Sequence, residues 1–249
     1  MSERRVLYIV EGDSAEKKLI RSMHRCLLGT RPDNIYVIRN NIHALLNSLK
    51  KVGDLRNIDI LTFLRSSAAE DDRPLLDQNY TDKFLIFDME PQDDSYDYGY
   101  LKEAMEHFSD STVYGKLYIN YPMIESCKHL KVPFDPEYKN RRVSIDDIRT
   151  KSYKGLVECE SYKEIKHLAS LERSSIMMML EMNLRKSNWL LYGSFIIPVS
   201  AFEQEEMISI LDVQNECMEE DGCIYVLNTC IMNVLDFNPT RILNELRGS

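Results

Sequence analysis

No stretch of this 249-residue chain approaches the roughly 18 consecutive apolar residues needed to span a bilayer, so no membrane insertion is expected. There is no glycine-rich phosphate loop, which excludes ATPase machinery within the chain. No serine sits in a Gly-x-Ser-x-Gly elbow, and nothing else suggests a nucleophilic triad. The six cysteines (Cys26, Cys127, Cys159, Cys217, Cys223 and Cys230) contain no Cys-x-x-Cys pair. A chain of this length needs no disulfide staples, and a zinc site built on Cys127 and His129 lacks a second spaced pair. Positive charge is in short supply, with 31 Lys and Arg against 40 Asp and Glu, a net charge of −9. That argues against a surface that coats nucleic acid, though not against an enzyme touching it at one metal-bearing site, where cations screen the phosphates. Internal repeats and low-complexity tracts are missing, and Met-Ser-Glu-Arg-Arg runs into a strand pattern without a signal-peptide core. The expected location is therefore cytoplasmic.

What remains is a chain that is 44% hydrophobic and 29% charged, the balance of a globular protein with a real core. Val6 to Val10 is a continuous apolar run of the kind buried on both faces of a parallel sheet. It stops at Glu11-Gly12, where Gly12 allows a sharp turn. Asp13-Ser-Ala-Glu16 then reads as a capping box opening a helix with Leu19, Ile20, Met23, Cys26 and Leu27 at three-to-four spacing. A strand at Asn34 to Ile38, a helix at Ile42 to Val52 ending at Gly53, and a partly helical insertion over 54–82 follow. Lys83 to Asp88 reads as a strand, Pro91 to Asp97 as a loop and Tyr98 to Phe108 as a helix. Val113 to Asn120 reads as a further strand, followed by a short helix from Met123 to about Leu130. The series predicts an α/β fold with a mostly parallel sheet flanked by helices over residues 1–131. After the linker Val132-Pro-Phe-Asp-Pro136 the pattern turns helical, predicting a C-terminal portion over 132–249 packed on it. Its helices are expected at Ile145 to Cys159, Lys163 to Lys186, Ser200 to Glu219 (opened by a Ser200-Ala-Phe-Glu203 box) and Ile224 to Leu235.

Two apolar strands thus end in carboxylates, Glu11 after the first and Asp88-Met-Glu90 after the other. Strand carboxyl ends open into the crevice where α/β sheets bind ligands, and carboxylates gathered there are suited to a hard divalent cation such as Mg²⁺. Each residue also has a plain structural reading. Glu11 can serve the dipole of the helix that follows it, and Asp88 and Glu90 can be ordinary loop acids. Asp93, Asp94 and Asp97 read first as a solvated loop, and Pro122 as the first residue of a helix. The five histidines share no spacing, and only His129 falls near the proposed site. Met177, Met178, Met179 and Met182 are first of all core, or else a partner-binding face.

The ordered pair Ile-Val-Glu11-Gly12 and Phe-Asp88-Met-Glu90 resembles the Toprim domain, whose signature is Glu-Gly after the first strand and Asp-x-Asp after a later one. That fold is shared by topoisomerases, bacterial primases, recombination mediators and OLD-type nucleases, and the likeness spans roughly residues 4–130. The glutamate in Asp-Met-Glu departs from the pattern but keeps the charge. Leu117-Tyr-Ile-Asn-Tyr-Pro-Met-Ile-Glu125-Ser126 is similar to the Asn-x-Pro-x-x-Glu segment of standalone Toprim-like proteins of bacterial phage-defence loci, which puts Glu125, and Ser126 beside it, near the metal. The resemblance implies a Mg²⁺- or Mn²⁺-dependent nuclease on DNA or RNA. Glu11 would take the acid/base role and Asp88, Glu90 and Glu125 would join it around the metal. It also implies a defence effector controlled by a separate ATPase. Arg141, Arg142, Arg149, Lys151 and Lys154 are candidates for gripping a nucleic-acid backbone, or else solvated helix faces; Lys151 and Lys154 resemble the lysines that follow the Glu segment in related nucleases. Two other readings stay open: a non-catalytic Toprim module that binds a protein partner or nucleic acid, and an α/β protein that places Mg²⁺ on a small phosphate ligand. A homo-oligomer is compatible with all of them.

Overall fold

A computed structural model describes residues 4–248. The strands are β1 (Val6–Val10), β2 (Ile35–Val37), β3 (Asp82–Asp88), β4 (Ser109–Asp110), β5 (Gly115–Asn120), β6 (Arg142–Ser144) and β7 (Cys223–Tyr225). The helices are α1 (Ala15–Met23), α2 (Ile42–Val52), α3 (Ile60–Ser67), α4 (Arg73–Leu76), α5 (Tyr98–His107), α6 (Ile145–Arg149), α7 (Ser152–Glu160), α8 (Arg173–Tyr192), α9 (Gln204–Asp221) and α10 (Pro239–Gly248). The main sheet has the order β2-β1-β3-β5-β4, parallel except for the short β4, which pairs antiparallel with β5. Its two central strands are buried on both faces, which is why they read as unbroken apolar runs: Leu7 to Val10 and Phe84 to Phe87 have no exposed surface.

This strand order positions the site. The chain leaves β1 through α1 toward β2 on one side, and leaves β3 through α5 toward β5 on the other. The crevice between the carboxyl ends of β1 and β3 is therefore the topological switch point of the sheet, with Val10 registered against Ile86. Sidedness follows from right-handed crossovers, which put α1 and α2 on opposite faces. Accordingly α1 packs against the 3₁₀ segments Leu168–Ser170 and Cys230–Asp236, while α5 packs against α2 and α9. One apolar cluster runs from Leu7 to Leu246, so the segment after residue 131 shares its core with the sheet. Among the described residues no helix is long and apolar enough to cross a membrane.

The C-terminal portion departs from the expected helices wherever tertiary partners capture the backbone. The helix expected over 145–159 breaks at Lys151, held at φ +61°, where Asp147 accepts from both Ser144 and Ser152 hydroxyls. The helix expected to begin at Lys163 begins at Arg173 instead. Before it, Ser22 and Arg25 donate to the carbonyls of Leu168, Ala169 and Leu171, holding that stretch against α1. The α9 helix starts at Gln204 with the box made by Glu203 and Glu206 rather than by Ser200. Ile224 to Leu235 is not a helix. Its first residues form β7 against β6, Leu227 pairs with Tyr121, and only Cys230–Asp236 turns, as 3₁₀. Pro122 lies before the 3₁₀ turn Ile124–Lys128, whose N-cap is Met123, so it is not a helix-opening residue. Met178, Met179 and Met182 are buried core, and Met177 is half-buried against it.

Candidate metal centre

Glu11 follows β1, Asp88 ends β3, Glu90 lies two residues beyond it, and Glu125 lies on the 3₁₀ turn that follows β5. A fifth carboxylate joins them. Glu16, in the first turn of α1 and only 5% exposed, does not close the expected capping box, and Ser14 makes no side-chain cap. Its carboxylate instead turns back and accepts the Gly12 N–H at 3.0 Å. Gly12 leaves the space for this fold-back: a Cβ there would lie 2.8 and 2.9 Å from the two Glu16 oxygens, so the carboxylate would have to shift.

Each carboxylate is held by its own partner. Glu11 accepts the Asp88 N–H at 3.4 Å, and Asp88 accepts from Asn120, a fully buried side chain, at 3.2 Å. Glu90 sits at φ +43°, an uncommon conformation for a residue with a Cβ, and accepts from Asn41, which also donates to Asp93. Glu125 pairs with Lys154 at 3.2 Å through one oxygen, while its other oxygen is buried with no hydrogen-bond partner. The carboxylates feel one another's charge. Burial first, then Glu90, raises the Glu11 pKa to about 8, against the lowering effect of the Asp88 N–H. Burial together with Glu11, Glu16 and Glu125 drives Asp88 well above the carboxylate range, and burial raises Glu16.

The acids feel one another's charge across the switch point but do not form one ion's ligand shell. Among the described residues, the only group of three or more His, Cys, Asp or Glu ligand atoms within 4.8 Å of one another is Cys217, Asp221 and Cys223, far from the crevice at the α9–β7 corner. There the Arg142 guanidinium already donates to Cys217 and Asp221. The crevice acids are held by separate partners: Asp88 N–H for Glu11, Asn120 for Asp88, Asn41 for Glu90, Lys154 for Glu125 and Gly12 N–H for Glu16. Their chemistry nonetheless fits a hard divalent cation: oxygen donors only, and a buried Glu125 oxygen that lacks any partner.

The remaining candidates lie elsewhere. The Ser126 hydroxyl donates to Leu227 O, toward the C-terminal segment. Asp93 also accepts the Ser95 N–H, and Asp97 caps α5. Lys151 is exposed with no contact to the acids, whereas Lys154 reaches Glu125. Arg141 is held by Asp135 and His129 O, while Arg142 and Arg149 make exposed pairs with Asp221 and Asp146. Cys127 is fully buried and His129 bonds Tyr153 and Glu160, so they share no zinc site. Sequence reasoning missed Glu16, assigned to a cap, and Asn120 and Asn41, whose roles depend on contacts across the sheet. Asn120 opens the very Asn-x-Pro-x-x-Glu segment that pointed to Glu125. Compared with family models, curated proteins and solved structures, the chain matches none.

Proposed function

We propose that this chain is a metal-dependent nuclease of the Toprim type, cleaving phosphodiester bonds of DNA or RNA. The observation that carries the reading is the gathering of Glu11, Glu16, Asp88, Glu90 and Glu125 around the switch point of the sheet, with one lysine among them. Glu11, Asp88, Glu90 and Glu125 would hold Mg²⁺ or Mn²⁺, and the cation, when bound, supplies charge neutralisation at the phosphate and a more acidic water. Without a cation, burial and neighbouring acids raise the Glu11 pKa to about 8, which marks it as the carboxyl suited to exchange a proton with an attacking water or a leaving oxygen, and a bound cation would favour its ionised form. Lys154, exposed at the rim, offers a cation to a phosphate oxygen once Glu125 turns to the metal. Asn120 and Asn41 position Asp88 and Glu90.

Lacking a phosphate loop and a basic stripe, such a nuclease would depend on a separate ATPase for control and for grip on its substrate, as a defence effector held in check does. The test is purified protein with Mg²⁺ or Mn²⁺ incubated with plasmid, tRNA and ribosomal RNA, with and without a candidate ATPase partner. Metal-dependent cleavage abolished by Glu11→Gln supports the reading, and cleavage that survives Glu11→Gln unchanged removes it. A non-catalytic Toprim module, binding a partner or nucleic acid, is favoured by one observation: no three crevice oxygens lie within 4.8 Å of one another. Calorimetry showing no affinity for Mg²⁺ or Mn²⁺ would select that reading.

A further inference from the structure

At the opposite end of the sheet, where β1 and β2 begin, a cleft of about 610 Å³ lies between the start of β1, the π-helical turn His24–Leu28 and the first turn of α10. Four arginines line it. Arg4 is committed, forked onto Asp82 and stacked 4.2 Å from the Phe237 ring centroid. Arg5, Arg31 and Arg241 are exposed. Among the described residues Arg5 and Arg241 make no side-chain hydrogen bond or ion pair, and Arg31 has only a loose 3.9 Å contact with Asp33, itself exposed. In a chain of net charge −9, these three exposed guanidiniums are met only by Asp33 beside Arg31 and by the charge of Glu245 on Arg241, which leaves the cleft basic. The first turn of α10 adds its dipole with the same sign. The carbonyl of His24, at the end of α1, is already taken by the Gly29 and Thr30 N–H groups, which offsets the opposing dipole there.

The lining has a second, uncharged half. Leu28, Ile242 and the side of Phe237 not covered by Arg4 form an apolar wall, and three carboxamides reach its edge with part of their capacity already used: Asn34 donates to Val6 O, Gln78 donates to Pro74 O and Asn238 accepts the Arg241 N–H. The volume is within the range of small-ligand clefts, roughly 300–1,000 Å³, and far beyond what orthophosphate fills. We propose that this cleft binds a mononucleotide, a nucleoside mono- or diphosphate. Its phosphate is taken by Arg5, Arg31 and Arg241, and its base is laid against the apolar wall. Guanidinium forks match phosphate oxygens in pairs, planar bases stack on apolar and guanidinium surfaces, and the carboxamides suit the mixed edge of a base. The site is separate from the carboxylate crevice and needs no metal.

Calorimetric titration of the full chain in EDTA with AMP, GMP, ADP, adenosine and orthophosphate tests this. The expected result is saturable binding of the nucleotides, with adenosine and orthophosphate each about tenfold weaker or more. Arg5→Ala combined with Arg241→Ala should weaken nucleotide binding about tenfold or more without lowering the Tm, and Glu11→Gln should leave it unchanged. Should the double variant fail to fold, Arg31→Glu alone gives the same readout at an exposed position. The proposal is overturned if no nucleotide binds saturably, if orthophosphate binds as tightly as AMP, or if the folded arginine variants bind as the parent does.

Discussion

At the carboxyl ends of β1 and β3 five carboxylates share one lysine, whereas at the amino ends of β1 and β2 three exposed arginines are met by Asp33 and, for Arg241, by the charge of Glu245. Several pairs elsewhere are matched: Lys116 with Asp236, Lys102 with Asp212, Arg141 with Asp135, Arg173 with Glu245. Like charges left together repel and lower the stability of the fold. The buried acids at one end of the sheet and the arginines around a cleft at the other are therefore proposed as sites, an acidic one suited to cations and a basic one suited to anions. The acids are also more deeply embedded. Asp88 and Glu16 are buried, while Arg5, Arg31 and Arg241 are exposed, so the acidic end should respond to pH and metal and the basic end to salt.

The largest expected effect separates the two ends outright. Glu11→Gln and Asp88→Asn keep the shape of the site but, under the proposed function, would remove the proton carrier and a ligand, and each should then lower the proposed metal-dependent cleavage by about 100-fold or more. Neither should change nucleotide affinity at the other end. A variant that lost both functions together would break the comparison.

Stability against pH sharpens it. The folded-state pKa of Glu11, about 8, lies above its ordinary value of 4.5, so between those limits the unfolded chain has lost a proton that the folded chain keeps. Stability from this group is whole below about pH 4.5 and is lost as pH rises through about 8, on the order of a few kcal/mol, with Asp88 acting in the same direction. Thermal melts of metal-free protein should show Tm falling from pH 5 to pH 8, and Glu11→Gln should flatten that slope. Added Mg²⁺ should raise Tm more at pH 8 than at pH 5, because ligands must be ionised. An equal rise at both would mean the cation binds elsewhere.

The basic end carries the opposite slope. His24, at the back of the arginine cleft, bonds Tyr8 Oη and Thr30 Oγ1, and burial lowers its pKa to about 4. The unfolded chain takes up this proton near pH 6.5, so the group's contribution is present above that value and is lost as pH falls toward 4, on the order of 3 kcal/mol. Burial lowers His129 to about 4 as well, against Glu160, and adds to the same limb. Ring-proton NMR of His24 should show a neutral imidazole down to about pH 4, and a titration near pH 6.5 would contradict the burial argument.

Much of this was legible in the sequence where local pattern and burial agree. The runs that became β1 and β3, the 42–52 helix with its Gly53 end, and the acids at the strand ends could be read because both faces of those strands are covered. The C-terminal half was less legible because its backbone is fixed by distant partners. Gln214 brackets Tyr225, the Asn183 carboxamide accepts the Asn228 N–H, and Thr229 donates to Ile119 O, which converts an apolar helical pattern into strand and turn. Glu16 shows the same limit on a smaller scale. Its spacing from Asp13 is that of a cap, but the empty space at Gly12 lets the carboxylate fold back into the crevice.

Gly12→Ala probes that space and should have the smallest effect. Gly12 is not in the left-handed region, so alanine is tolerated by the backbone, and the new methyl meets only the end of a flexible side chain. The loss in stability should stay near 1 kcal/mol, the worth of the displaced Gly12 N–H to Glu16 hydrogen bond. Pushing Glu16 aside removes one of the charges that raise Glu11 and Asp88, so both should ionise at lower pH. Metal titrations of parent and variant at pH 7 therefore distinguish two roles. If Glu16 only crowds the crevice, the variant binds Mn²⁺ as tightly or more tightly. If Glu16 is itself a ligand, affinity falls by several-fold, and nucleotide binding at the arginine end stays the same in either case.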